Sequence, residues 1–557
     1  MIKKRNFLIT MGIVALNLFS LNYGTAQEEK ENSLVLPDIT TIISQEEILI
    51  TEEAIPDFSG ALPENLNTDT LPKVSDTENL KKDEISLQEE ESKEDSSLVF
   101  LEGEIGLGWP YVFDTNFSLY QFGEDPFSVN FIYDSFGGYG KHSQDMGFFD
   151  TEIEMETTKT FITKNSTLDL AASYKKQDLG LQGNSVVFDD INRQTVFASL
   201  GWTLPFEKGF ELSMNIDNRW FSRFAGYAGD NLQNVVKDEN VALSLFEAQP
   251  NINLSWQKEN LKLSLEGNWL GGFFFNSEEE MINRSQGNLY ATLNFPRLNF
   301  ETSIGIVYVH NGNKEKQTNL IFPFSLSTSV NFKLPFSEQD ANLSLIGGLN
   351  SKSIDLFLLE KNNPFTLFSE KQIVANSEQT DWFGQTAIFV PIKEFVELGL
   401  VADFRKTAFE NGILQTQQDE QFNSVTGLFN SKEVDSTRLF TDISISVNFT
   451  SFTANFAWNN QWIDKTPGQS TTSLIASLSF TTEKNWGLKL KLQENLGSEN
   501  DKVPVLDFSA FIKPSEKTKI LFTVTDTIKL VTGKDRIFIE PYIKQGGNIS
   551  ASVQFMY

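Results

Sequence analysis

The 557-residue chain contains no cysteine, which excludes a disulfide framework and thiol chemistry. It has only two histidines, His142 and His310, and a histidine-activated nucleophile would have to use one of them. Ser143 follows His142 directly, but neighbours in an extended chain point to opposite sides. Both histidines therefore read as ordinary loop residues, and no enzyme is expected. No P-loop, dinucleotide fingerprint or zinc spacing occurs, so no cofactor is expected. The acidic runs Asp189–Asp190 and Glu278–Glu280 are candidate Ca²⁺ or Mg²⁺ loops, but such runs more often stay solvated, and no metal site is assigned. With a formal net charge of −30 the chain has no electrostatic basis for binding nucleic acid. Past residue 26 it also lacks an apolar run of about 18 residues, which argues against helical membrane spans.

What is present begins with a basic start (Lys3, Lys4, Arg5), an apolar run from Phe7 to Leu21, and the small-residue site Gly24–Ala26. This is the layout of a cleaved secretory signal, residues 1–26. Residues 27–97 carry 20 acidic against 5 basic side chains and few aromatics. Such a segment buries too little apolar surface to offset chain entropy and is expected to be a disordered acidic linker. Apolar-proline pieces recur in it at Leu36, Ile55, Leu62 and Leu71. They read as solvated punctuation or as short linear motifs. The run Glu46, Glu47, Ile48, Leu49, Ile50 and Thr51 is a candidate for adding a strand to a partner's sheet edge.

From residue 98 onward the pattern alternates with period two and helical spacing nearly vanishes. Ile443, Ile445, Val447 and Phe449 oppose Asp442, Ser444, Ser446 and Asn448. Trp486, Leu488, Leu490 and Leu492 oppose Lys489, Lys491 and Gln493. Strands with one greasy and one wet face suit a soluble sandwich or a membrane barrel, and turn length separates the two. Ten tight connections, from Gly123–Pro126 to Pro514–Thr518, alternate with generally longer ones such as Gln177–Asn192, Ala225–Asn240, Asp355–Thr380 and Ile413–Ser436. Trp202, Trp256, Phe295, Phe332, Phe389, Phe452, Trp486 and Phe511 lie near the tight turns, as an interfacial aromatic girdle would. The 49 phenylalanines also fit a lipid-facing exterior. A soluble β-propeller is the alternative, but it gives no reason for long strands or for the alternation of short and long turns.

The expected fold is therefore all-β: a transmembrane antiparallel β-barrel over residues 98–557 with about 22 strands, or roughly 18 to 20 if short runs merge. An even count places both barrel ends, and the acidic tail, in the periplasm. The chain closes on "ISASVQFMY", with Ile549, Ala551, Val553, Phe555 and Tyr557 on one face. This resembles the C-terminal recognition signal of bacterial outer-membrane β-barrel proteins, which implies outer-membrane lipid and the barrel-assembly machinery as partners. The barrel's size is similar to that of TonB-dependent receptors. The run Glu46–Thr51 is similar to their short partner-binding box, which implies a periplasmic protein partner. The resemblance implies a folded plug domain as well, but residues 27–97 are too few and too acidic to supply one, so the likeness stops there and a barrel without a plug is expected.

The inward set is rich in hydroxyls and amides, with Lys262, Glu266, Lys333, Asp442, Lys489 and Lys491 as candidate lumen-lining charges. A barrel this wide leaves an aqueous interior unless something fills it. The leading expectation is a porin-like or gated channel for polar solutes, with Asp355–Thr380 and Ile413–Ser436 as constricting loops. The alternatives are a surface-exposed structural or adhesive barrel with a partner-binding tail, or a plug-less receptor-like transporter. Gly347 and Gly271 mark either strand bulges or close backbone approach, the bulge being the first expectation.

Overall fold

The last strand closes a ring. In the computed structural model, Asn548–Met556 pairs antiparallel with Thr518–Thr525 on one side and with Val99–Trp109, the first strand, on the other. The Tyr557 amide donates to the Leu101 carbonyl at 2.8 Å, and the Leu101 amide returns the bond at 2.8 Å. Across the same seam Gln554 Nε2 donates to Glu104 Oε2 at 2.8 Å, and Ser552 Oγ bonds Glu104 Oε1. Among the described residues the main sheet is thereby closed without a free edge.

The structure describes residues 99–557 apart from 123–125, 139, 229–240, 276–280, 312–316, 336, 338, 354, 377–378, 394, 413–420, 464–471, 483–484, 497–502 and 545. The expectations for residues 1–98, including Glu46–Thr51, and for Glu278–Glu280 lie outside the described residues. The main sheet has 23 paired segments, but Gln317–Ile321 and Phe324–Lys333 both pair with Leu298–Asn311 and form one interrupted strand. The barrel therefore has 22 strands, all antiparallel to their neighbours. The interruption falls at Phe322–Pro323, where proline has no N–H for the ladder.

Alternation assigns the two faces. Val196, Leu200 and Trp202, or Leu263, Leu265 and Trp269, point outward and stay exposed. The intervening residues line the inside, where Ser303 meets Ser325 at 2.6 Å and Asn342 Nδ2 donates to Asn331 Oδ1 at 2.7 Å. An apolar exterior around a hydrogen-bonded polar interior inverts a soluble protein, as a lipid surrounding requires. The girdle reading needs one correction. Trp202, Trp256, Phe295, Phe332, Phe452 and Trp486 share the outward face, but Phe389 and Phe511 turn inward. Phe389 covers Gly399, Phe511 covers Gly487, and Lys519 Nζ stands 4.8 Å from the Phe511 ring. Each ring fills the space a glycine leaves on the next strand.

Two further expectations change. The strands run past the boundaries read from sequence: Ser166–Gly180 and Phe188–Pro205 leave only 181–187 between them, and Lys432–Phe449 takes in Lys432 to Ser436. At 18 residues, Phe188–Pro205 exceeds the roughly 9–11 that cross a bilayer, so its loop-side end stands clear of the apolar belt. Neither Gly347 nor Gly271 is a bulge, because the ladders continue in register through both. The space above Gly271 is taken by the Trp269 indole, and a Cβ on Gly348 would meet the Phe324 carbonyl oxygen at 2.0 Å.

Candidate functional site

At the long-loop end the inner face changes character. Along Leu261–Phe274 the inward series runs Lys262, Ser264, Glu266, Asn268 and then Leu270, Gly272, Phe274. Leu243 and Leu245 likewise precede inward Glu247, Asn251 and Asn253. These apolar ends would be costly in an open aqueous mouth. They are covered by the connection between Asp340–Ser351 and Thr380–Lys393, which folds as two short helices, α1 (Leu356–Asn362) and α2 (Glu370–Asn376). Leu356, Phe357, Phe368, Ile373 and Val374 pack with inward Phe221, Leu245, Leu270, Phe274 and Ile282 in one buried cluster. Asp355 caps α1 by accepting from the Leu358 amide at 3.2 Å. The segment is thus a lid seated inside the wall.

A buried ion group pins it. Arg193 and Arg223 stand directly opposite one another on adjacent strands. Two like charges in that position repel. Glu360 of α1 lies between them: Arg193 Nε donates to Glu360 Oε2 at 3.0 Å, and Arg223 Nη1 bonds Glu360 Oε1. Arg193 and Glu360 are 0% exposed and Arg223 1%. Carbonyls take up further donors, with Arg223 Nε on Val241 at 2.8 Å, Arg223 Nη2 on Phe368 at 3.3 Å and Arg193 Nη2 on Pro364. The set is polar, desolvated and specific in geometry, so it fixes where α1 sits more than it adds net stability. Flanking it, Arg219 contacts Asp355 at 3.2 Å, and Lys361 Nζ donates to Glu152 Oε1 at 2.7 Å. Arg284 Nη2 holds the Ser351 carbonyl at 2.7 Å where the lid begins.

Three other connections lock onto the lid. Thr366–Leu367 pairs in parallel with Leu428–Asn430, which also pairs with Phe422–Asn423. Phe365 stacks on Tyr542 of the hairpin Ile537–Ile539/Tyr542–Ile543, with centroids 3.5 Å apart and planes at 6°. The Tyr542 hydroxyl bonds the Gly427 carbonyl, and burial pushes its pKa up so that it remains a neutral donor. Gln182 Nε2 donates to the Ile543 carbonyl at 3.0 Å, and its Oε1 accepts from the Ile543 amide at 3.0 Å. Segments from four separate connections around the ring therefore meet, and to meet they must cross the mouth.

The six charges singled out from sequence do not gather here. Lys262, Glu266, Lys333, Asp442, Lys489 and Lys491 lie on faces opposite the exposed apolar ones, spread over four strands. Glu266 Oε1 accepts from Asn251 Nδ2 at 3.3 Å, and Lys491 stands across from Asp507. Ile549, Ala551, Val553, Phe555 and Tyr557 share the outward face of the closing strand. His142 Nε2 lies 3.0 Å from Asp535 Oδ1, and Lys141 Nζ lies 2.9 Å from Oδ2, tying one more loop to the 526–547 connection. Asp190 Oδ1 accepts from the Gly226 amide at 2.9 Å. Among the described residues no group of three or more His, Asp or Glu is placed to hold a metal ion. Sequence reasoning missed Arg193, Arg223 and Glu360. The available signal was the switch from polar to apolar in one inward series, together with the helical run "LFLLEKN" inside a presumed loop.

No protein-family model and no curated sequence matches this chain. Its structure is similar to the FrpB iron transporter from Neisseria meningitidis (F5-1 variant, apoprotein form), with a TM-score of 0.60 and 9% identity, covering 83% of this chain and 82% of that one. It is similar to the copper transporter OprC (TM-score 0.60, 9% identity, 83% and 80% covered). A third likeness is to the siderophore receptor PirA from Pseudomonas aeruginosa (TM-score 0.55, 10% identity, 84% and 81% covered). At such identities the likeness is one of fold.

Proposed function

We propose that this chain is an outer-membrane β-barrel transporter, a gated route for polar solutes whose gate is the lid of residues 352–379. The carrying observation is that α1 docks on the inner wall through Glu360, while two other connections hold the segment Phe365–Leu367 that follows it. The apolar exterior and closed ring support residence in the outer membrane. Val99, Tyr557 and the ten tight turns read from the sequence fall at one end of the barrel, the periplasmic end in this reading, whereas the two-residue turn Pro110–Tyr111 lies at the other. The solved structures of the same fold are named as iron and copper transporters and a siderophore receptor, which favours transport over adhesion.

The test is solute release from proteoliposomes carrying the full-length protein or a variant lacking residues 356–379. Faster release of small polar solutes through the shortened protein supports the gate. Equal release from both, with both barrels showing heat-shifted gel mobility, contradicts it.

A further inference from the structure

Glu360 and Lys361 are neighbours on α1 and address a single cross-strand row. In that row Glu152 stands opposite Gln177, Gln177 opposite Arg193, and Arg193 opposite Arg223. Glu360 supplies a carboxylate to the two arginines, and Lys361 supplies an ammonium to Glu152. The lid helix thus lays one anion and one cation on a wall of complementary pattern. It does not satisfy the row completely. Arg193 Nη1 and Gln177 Oε1, on side chains that are 0% and 4% exposed, are buried without hydrogen-bond partners among the described residues. One is a donor and the other an acceptor, and Gln177 stands between Glu152 and Arg193 in the row.

A peptide has that set of groups: a terminal carboxylate, a terminal ammonium, and between them amides that offer a carbonyl to Arg193 Nη1 and an N–H to Gln177 Oε1. The span agrees. Glu152 and Arg193 are two strand spacings apart, about 10 Å, and three extended residues cover about 10 Å. We propose that the row Glu152–Gln177–Arg193–Arg223 is the recognition site for a short zwitterionic peptide, and that Glu360 and Lys361 are its built-in mimic, holding the same positions while the lid is down. This deepens the gated-transporter reading and rests on it: solute binding and lid release become one exchange of ion pairs.

The test is calorimetric titration of triglycine into the full-length protein in detergent micelles, comparing wild type with Glu360→Ala/Lys361→Ala. Propionate and butylamine serve as single-charge probes. Without the mimic, triglycine binds at least tenfold tighter than to wild type and tighter than either single-charge probe, and adding Arg193→Gln removes the gain. A double variant with heat-shifted mobility that binds triglycine no better than wild type does, or no better than propionate, overturns the proposal. Conductance of the same variants separates the two readings. Tighter binding with unchanged conductance upholds the peptide site and sinks the gate, whereas raised conductance with no gain in binding does the reverse.

Discussion

Arg193 and Arg223 face each other across neighbouring strands, and one carboxylate, Glu360, reaches both. Removing that carboxylate leaves two buried cations uncompensated. Glu360→Gln is therefore expected to destabilise the docked lid by about 3–5 kcal/mol, while the barrel ladder, which does not use Glu360, keeps its heat-shifted mobility. Hydrogen exchange checks this: amides of α1 and α2 lose protection and those of the strands do not. Unchanged protection over 355–376 would show that the apolar cluster alone holds the lid.

The seam between lid and hairpin is expected to depend on Tyr542. Tyr542→Phe keeps the ring stacked on Phe365 but strands the buried Gly427 carbonyl, at a cost of about 1–3 kcal/mol. Phe365→Ala removes the stacked ring and costs more, about 3–5 kcal/mol. Limited proteolysis within 363–376 should speed up in that order. Equal resistance in all three proteins would mean that the four connections do not act as one unit.

The barrel was legible because alternation is a local signal: the apolar face, the ten tight turns and the closing strand each show within a dozen residues. The lid was not, because its partners are distant in sequence. Glu360 is 167 residues from Arg193 and 137 from Arg223, and nothing near either arginine announces an anion. Phe389 and Phe511 misled for a related reason. Nearness to a tight turn fits a girdle, whereas the glycine that draws each ring inward sits on another strand.

Leu265 and Glu266 are adjacent in sequence and opposite in exposure, so the same substitution separates the two faces. Leu265, 57% exposed, looks outward. Leu265→Arg should destabilise folding into lipid vesicles by about 2–4 kcal/mol, while Glu266→Arg, in the lumen, should cost within about 1 kcal/mol. Reversed costs in equilibrium unfolding from vesicles would invert the assignment of faces.

Acid should loosen the tie between Lys141, His142 and the 526–547 connection. Burial alone would raise the Asp535 pKa, but the Lys141 hydrogen bond, the charges of both partners and the His142 hydrogen bond outweigh it and hold the carboxyl below its ordinary 3.8. A depressed folded value means that the contribution is fully present above the ordinary value and is lost as pH falls through the lowered one. Protection of residues 140–146 is thus expected to fall as the pH drops below about 4. Asp535→Asn should abolish that pH dependence, and a variant that keeps it would locate the titrating group elsewhere.

If Glu360 holds the lid down over the mouth, single-channel conductance of the full-length protein in a planar bilayer will show it. Wild type is expected to give low or brief conductance, and both Glu360→Gln and the variant lacking 356–379 steady large steps. Steady large steps from wild type, indistinguishable from those of the lidless variant, would contradict it.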